Sequence, residues 1–435
     1  MSLDPHAPSP PPPPTNPTGL TSATNAPAPV ASAGKTPAEA FLLRTAELLH
    51  RHGTPSYRLE RVMTRASQSL GIDSTYLYTP TALIVSIVRE EGEQTYLRRI
   101  DSGEVDVSKL IEFDRVLHDM EVGKLTIAEA TQRLDEAAAA EPPYGFATTI
   151  AAAGVACGTV AILFRGGVTE VGVAAVLGCL LACLTWFTVR AGWDRGVLEP
   201  LAGFSVGLLT LWISHYVLPI DDRLTTLAAL ILPLPGLTLT IALTELAMGH
   251  LSAGSARLAG ASVTLLTLIL GVAIAWRLGP SGNTIIGQAA VISMPLPAWS
   301  LWIALGLAPG AFAILFKAPL SQWPVIFAVS ILGFLLARWL GRSVAPEVGS
   351  FCGALAVGVG SNLYARLKNR PAMVAQTPGL LILVPGSIGY RSLTALLEHQ
   401  TVEGVELAFA MVLLAMSLVG GLLSANVILP LRRVL

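Results

Sequence analysis

The chain has 435 residues, 52% of them hydrophobic and 13% charged, with a formal net charge of −1. Average soluble domains carry roughly a quarter charged residues, so this composition points to an integral membrane protein and excludes the basic field that nucleic-acid binding needs. The four cysteines (Cys157, Cys179, Cys183, Cys352) lie in apolar runs without adjacent His or acidic residues, the setting of small buried hydrophobes rather than of a metal site.

Met1–Pro37 is rich in Pro, Ala, Ser and Thr and contains the run Pro10–Pro14. Such a stretch buries too little apolar surface to offset the entropy of ordering, so a disordered tail is expected over 1–37. It lacks the basic-then-apolar pattern of a secretory signal. Residues 38–141 carry most of the charge and read as a small α/β domain. Glu39–Gly53 and Ser56–Gly71 place apolar residues at helical spacing. Ser74–Tyr78, Ala82–Arg89 and Glu93–Ile100 are strand-like, the second and third forming a hairpin. Val107–Val122 returns to a helical period, and Thr126 with Glu129 has the spacing of a capping box. The polar candidates here are His50, His52, Arg58, Glu60, Arg98, Arg99, Asp101 and His118. They match no catalytic pattern and read as solvated faces.

From Tyr144 onward the chain is a series of apolar runs near the roughly 20 residues that cross a bilayer. Ten are expected: Phe146–Phe164, Val168–Val189, Val197–Leu218, Thr225–Met248, Ser255–Trp276, Ala298–Phe316, Trp323–Leu340, Val348–Leu367, Thr377–Leu397 and Val405–Leu429. They fall into two fives, over 142–297 and 298–435. Ala161-Ile-Leu-Phe-Arg165 recurs as Ala313-Ile-Leu-Phe-Lys317, Pro235-Gly236 as Pro385-Gly386, Gly254 as Gly404 and Gly271 as Gly421. An odd number of spans per repeat makes the two repeats enter the membrane in opposite senses, the inverted plan of many secondary transporters. The expected fold is therefore a mainly α membrane protein, with ten transmembrane helices as two inverted five-helix repeats behind a small cytoplasmic α/β domain. With that domain inside, the inner segments hold Arg190, Arg195, Arg257, Lys317, Arg366, Lys368, Arg370, Arg432 and Arg433. The outer ones hold chiefly Arg165, Arg223, Arg277, Arg338 and Arg342. The positive-inside rule then puts both termini in the cytoplasm.

The fourth and ninth spans are broken by Pro-Gly pairs. Proline removes an N–H and clashes with the preceding turn, and a break in lipid survives only where protein or a water-lined cavity covers it. Paired breaks point to a transporter's binding site. After the first come Thr238, Thr240 and Glu245; after the second come Ser387, Tyr390 and Arg391. The free N–H groups and partial positive charge of a half-helix N-terminus suit a carboxylate. The hydroxyls can bind a small polar substrate or their own backbone. Arg391 can hold a carboxylate, pair with an acid across the bundle or reach the surface. Glu245 can take an ammonium group or a coupling proton, or face water at the inner end of its span. Glu199 and Glu347 begin the third span of each half and read as interfacial residues or, alternatively, proton carriers, while Asn362 and Asn426 read as interhelical hydrogen-bond partners.

His52-Gly-Thr-Pro-Ser-Tyr57, Pro143-Tyr-Gly-Phe146, Pro235-Gly-Leu-Thr238 followed by Gly254-Ser-Ala-Arg257, and Leu383-Val-Pro-Gly-Ser-Ile-Gly-Tyr-Arg391 together resemble the threonine/serine exporter family over about Glu39–Pro430. One departure is Ile241, where the family pattern often carries a polar residue. The resemblance implies a ten-span secondary carrier in the bacterial cytoplasmic membrane, exporting L-threonine and L-serine on the proton motive force, with no cofactor. Split relatives linked to dicarboxylate export make a succinate-like anion the alternative substrate. A membrane-tethered enzyme with its activity in 38–141 is the alternative from another class. On the carrier reading Pro235, Gly236, Thr238, Thr240, Pro385, Gly386, Ser387, Tyr390 and Arg391 bind substrate, and Glu245, Arg391, Glu199 and Glu347 serve the proton. The partners are the amino acid, protons and the lipid bilayer, with self-association left open.

Overall fold

A computed structural model describes residues 35–100, 103, 105–193, 196–279, 294–383 and 386–430. The tail before residue 35, Asp101, Arg195, Pro385, Arg432 and Arg433 lie outside the described residues.

The first elements are α1 (Pro37–Arg51), α2 (Ser56–Ser69), β1 (Ser74–Thr79), β2 (Ala82–Arg89), β3 (Gly92–Arg99), α3 (Val107–Glu121) and α4 (Ile127–Ala139). The strands form an antiparallel sheet in the order β1-β2-β3, with Ser74 opposite Ile87 and Ala82 opposite Arg99. Leu83, Val85 and Ile87 alternate along β2 and are all buried, the period of two that turns one face of a strand inward. They join Phe41, Leu42, Leu49, Leu59, Met63, Phe113 and Leu134 in one apolar cluster. The capping box is formed: Glu129 N–H donates to Thr126 Oγ1 and Thr126 N–H to Glu129 Oε2. Those bonds hold the Glu129 carboxyl below the usual carboxylate range.

The remaining helices are α5 (Phe146–Leu163), α6 (Val168–Arg190), α7 (Leu198–Tyr216), α8 (Asp222–Ala229), α9 (Gly236–Ala247), α10 (Leu251–Leu278), α11 (Ser300–Leu315), α12 (Trp323–Ser343), α13 (Pro346–Lys368), α14 (Met373–Leu381), α15 (Gly386–Leu397) and α16 (Thr401–Ile428). Among the described residues seven stretches are long and apolar enough to cross a membrane, one of them the combined Met373–Leu397 of α14 and α15. The helices α9 and α11 are apolar but shorter. The chain is thus a mainly helical, multi-pass membrane protein with one small sheet.

Local geometry recurs between the two sets of helices. The helices α9 and α15 have 12 residues each, and α10 and α16 have 28 each. A Cβ on Gly271 would stand 2.1 Å from Pro200 O and 2.7 Å from Phe204 N; one on Gly421 would stand 2.3 Å from Phe351 O and 2.9 Å from Leu355 N. Gly254 faces Leu246 and the Ala242 carbonyl, and Gly404 faces Leu396 and the Ser392 carbonyl. Arg165 after α5 and Lys317 after α11 both take positive φ, 68° and 58°.

The first seven elements rest on one end of the helical bundle. Val107 N–H donates to Phe316 O (3.0 Å) and Lys317 Nζ lies 3.5 Å from Asp106 Oδ2. Val107 and Ile111 pack with Ala313, Ala318, Ile326 and Val374. Met373, the first residue of α14, belongs to the cluster built on Phe41 and Leu83.

Candidate functional site

The two chain breaks meet. Pro235 precedes α9, and Gly236 opens it with its N–H on Leu234 O (2.8 Å). Gly386 opens α15, and a Cβ built there would lie 3.2 Å from Gly236 Cα and 3.4 Å from Gly236 N. Only two glycines allow backbones this close. Because both helices begin at this contact, their first-turn N–H groups and positive dipole ends converge on one place. The packing is reciprocal. Leu237 of α9 packs with Val329, Val357 and Leu380, whereas Tyr390 of α15 packs with Leu227, Leu234, Leu265 and Leu268.

The side chains around this junction divide. Pro235 and Gly236 are buried; Thr238 and Ser387 are half-buried. Thr240 Oγ1 donates to Gly236 O (3.1 Å), and Thr244 Oγ1 to Thr240 O (2.8 Å), so their protons go to their own helix and only lone pairs remain for a ligand. Tyr390 is 2% exposed, and its hydroxyl has no hydrogen-bond partner among the described residues. Arg391 is exposed, with Cζ 5.3 Å from the centre of the Phe164 ring. It stands on an aromatic face rather than against an acid. The groove between α10 and α15 is lined by Leu266, Ile269, Leu393 and Leu396 and brings no polar side chain to the junction.

The carboxylates separate as well. Glu245 is fully buried, not facing water. Its Oε2 accepts from Arg257 Nε (3.0 Å), and its Oε1 from Arg257 Nη2 (3.3 Å) and from the backbone N–H of Ser56 (2.9 Å). The last bond places a carboxylate on the N-terminus of α2, where partial positive charge favours it. Glu199 is half-buried, and its Oε2 is enclosed without a partner among the described residues. Glu347 is half-buried in the first turn of α13. Asn362 Nδ2 donates to Asn426 Oδ1 (3.0 Å) and Leu429 O (2.9 Å), so the two asparagines are interhelical partners as expected.

Three residues were given no site role from the sequence. Arg257 is one. Between residues 224 and 276 the chain has only Glu245 and Arg257 as charged side chains other than His, which was signal enough to pair them. Gln376 is the second: Arg58 Nη2 donates to its Oε1. Arg58 and His50, read above as solvated, are both 2% exposed. The third is Glu170, fully buried, which accepts from Gly167 N–H (3.0 Å) and Asp221 N–H (3.1 Å) and ties the start of α6 to that of α8. At the far end from Arg58, Arg223 and Glu398 form an ion pair of 2.9 Å between α8 and the end of α15. No group of three or more His, Cys, Asp or Glu that could hold a metal occurs among the described residues.

Two family models and several curated relatives match the chain. A family model described as a threonine/serine exporter matches residues 40–279, and a second, described as Threonine/Serine exporter, ThrE, matches residues 302–428. The chain is similar to pheromone-regulated membrane protein 10 of Yarrowia lipolytica, 26% identical over 80% of this chain and 30% of that protein. It is similar to the protein of the same name from Eremothecium gossypii, 26% identical over 81% of this chain and 48% of that one. The chain spans about half or less of the length of these curated relatives. No solved structure matches.

Proposed function

The chain belongs to the threonine/serine exporter family, and on that premise we propose that it is a secondary carrier exporting L-threonine and L-serine, driven by the proton motive force. The observation that carries this reading is the contact of Gly236 with Gly386, which aims two half-helix N-termini at one point. An amino acid's carboxylate is the ligand such a point favours. Around it Thr238, Thr240, Ser387 and Tyr390 supply oxygen atoms for the substrate's hydroxyl, and Tyr390 has one to spare. On this reading Pro385, next to Gly386 in the sequence, belongs to the substrate site as well.

The fold we propose is ten spans in two inverted repeats, with α8–α9 and α14–α15 as the broken fourth and ninth. Support comes from the paired glycine approaches at Gly271 and Gly421 and at Gly254 and Gly404. The end bearing α1–α4 faces the cytoplasm, in keeping with Arg257, Lys317 and Arg366 there. Among the proton candidates Glu199 has an enclosed Oε2 without a partner among the described residues, and an ionisable residue inside a membrane bundle is a functional candidate by default. Glu245 is already balanced by Arg257. The alternative substrate, a dicarboxylate, would call on a cation at the junction, and the Arg391 guanidinium lies on Phe164.

The test is efflux from cells preloaded with a threonine dipeptide. Expression is expected to speed threonine efflux, and a protonophore to abolish the gain. Unchanged efflux of both threonine and serine would sink the amino-acid assignment.

A further inference from the structure

One turn of α2 touches both broken helices. Ser56 N–H donates to Glu245 on α9 (2.9 Å), and two residues later Arg58 donates to Gln376 on α14. Glu245 is fully buried and Arg58 is 2% exposed, so neither bond is a loose surface contact. The two helices held in this way belong to different halves of the bundle. A segment outside the bundle therefore fixes the spacing between its halves at that end.

The surroundings of this turn differ from those of the other contact between the same parts. Near α3 the interface is apolar with its polar groups paired: Val107 and Ile111 pack against Ala313, Ala318, Ile326 and Val374, Val107 N–H donates to Phe316 O, Lys317 meets Asp106, and Met373 lies in the core of α1–α4. Near α2 it is polar and under-satisfied. Thr54 Oγ1, Ser56 Oγ and His50 Nδ1 are buried without a hydrogen-bond partner among the described residues. Groups left in that condition are costly in the closed arrangement and are satisfied once water enters. An apolar contact resists wetting; this polar one does not.

We propose that the first turn of α2 is the inner closure of the carrier, a clasp that joins the two broken helices and must release for substrate to pass. Arg58 and the Ser56 N–H are positioning groups, acting through Gln376 and Glu245. The closure rests on the carrier reading above, but its central contact can be tested without it.

The probe is Ser56→Cys in a full-length chain whose Cys157, Cys179, Cys183 and Cys352 are replaced. The Ser56 side chain is buried and unbonded, and the substitution keeps the backbone N–H. The readout is labelling by a membrane-impermeant maleimide in inside-out vesicles. The parent should label slowly. Adding Arg58→Ala should raise the rate at least tenfold, and Arg58→Lys, which keeps a donor for Gln376, should restore slow labelling; gel filtration in detergent confirms that each variant is folded. Threonine should speed labelling of the parent. An unchanged rate in folded Arg58→Ala overturns the clasp. A parent that exports threonine while its labelling ignores threonine overturns release during transport. If the parent exports no threonine the substrate assignment fails, and the Arg58 comparison still decides the clasp.

Discussion

Gly236 and Gly386 approach so closely that the added Cβ of an alanine at 386 would stand 3.2 Å from the Gly236 α-carbon. The obstructing atoms are backbone and cannot rotate aside. Gly386→Ala gains up to about 1 kcal/mol of helix propensity but loses about 1–3 kcal/mol to overpacking. The crowding should win. We expect a lower melting temperature in detergent and at least tenfold slower threonine efflux. A variant as stable and active as the parent would separate this contact from transport.

Gly271 and Gly421 make the same approach in the two halves, so alanine at either should do equal damage. The Cβ would lie 2.1 Å from one carbonyl and 2.3 Å from the other, distances no side chain tolerates without moving a helix. Both variants should lose most of their monodisperse peak in detergent gel filtration. If one is tolerated and the other is not, the two helix pairs are not equivalents.

The pair of Glu245 with Arg257 is almost wholly enclosed, with side chains 0% and 15% exposed. Removing one member of a buried pair costs about 3–5 kcal/mol, because the other charge is stranded. Glu245→Ala should therefore lower thermal stability strongly. Glu245→Gln, which keeps an acceptor for the Ser56 N–H, should lower it less. Equal losses would show that the charge matters and the α2 contact does not.

Tyr390 buries a hydroxyl that bonds to nothing among the described residues. Tyr390→Phe should therefore leave stability unchanged or slightly higher, since an unmet polar group is removed. Its effect should fall on KM for threonine, raised severalfold if the hydroxyl serves substrate. Unaltered kinetics would take Tyr390 out of the site.

His50 sets a pH dependence. Burial is the main cause that lowers its pKa from the ordinary 6.5; the Pro80 carbonyl opposes this, Arg257 adds to it and Glu245 opposes it. A base whose folded value lies below its unfolded value favours the folded state only while neutral. Stability should therefore fall as pH drops below 6.5 and level off below the folded value. His52 is lowered too, again mainly by burial, and adds to the same window. Melting between pH 7.5 and 5 should show the loss, and His50→Gln should flatten part of it.

Periodicity and punctuation made much of this legible. The strand-like run Ala82–Arg89 located a strand, Thr126 and Glu129 a helix start, and Pro235-Gly236 a break, because each is a local rule with a local cause. The recurrence of Pro235-Gly236 as Pro385-Gly386 was legible too, whereas the contact of Gly236 with Gly386 came from the fold. What stayed hidden depends on partners distant in the chain. Arg58 carries every sign of a solvent-facing residue on an amphipathic helix until Gln376, more than 300 positions later, is folded beside it. Arg391 shows the reverse. Its place just beyond a break suggested an anion ligand, but helix rotation turns Tyr390 inward and leaves Arg391 on Phe164.

Met373 lies in the same apolar cluster as Phe41 and Leu83. A ribosome finishes residue 139 long before it reaches residue 373, and at roughly 5–20 residues per second the interval is on the order of tens of seconds. During that time α1–α4 and the sheet have been made but lack one of their buried side chains. A segment synthesised before the whole bundle is thus among the last to be completed, and its final packing must await the threading of most of the helices into the bilayer.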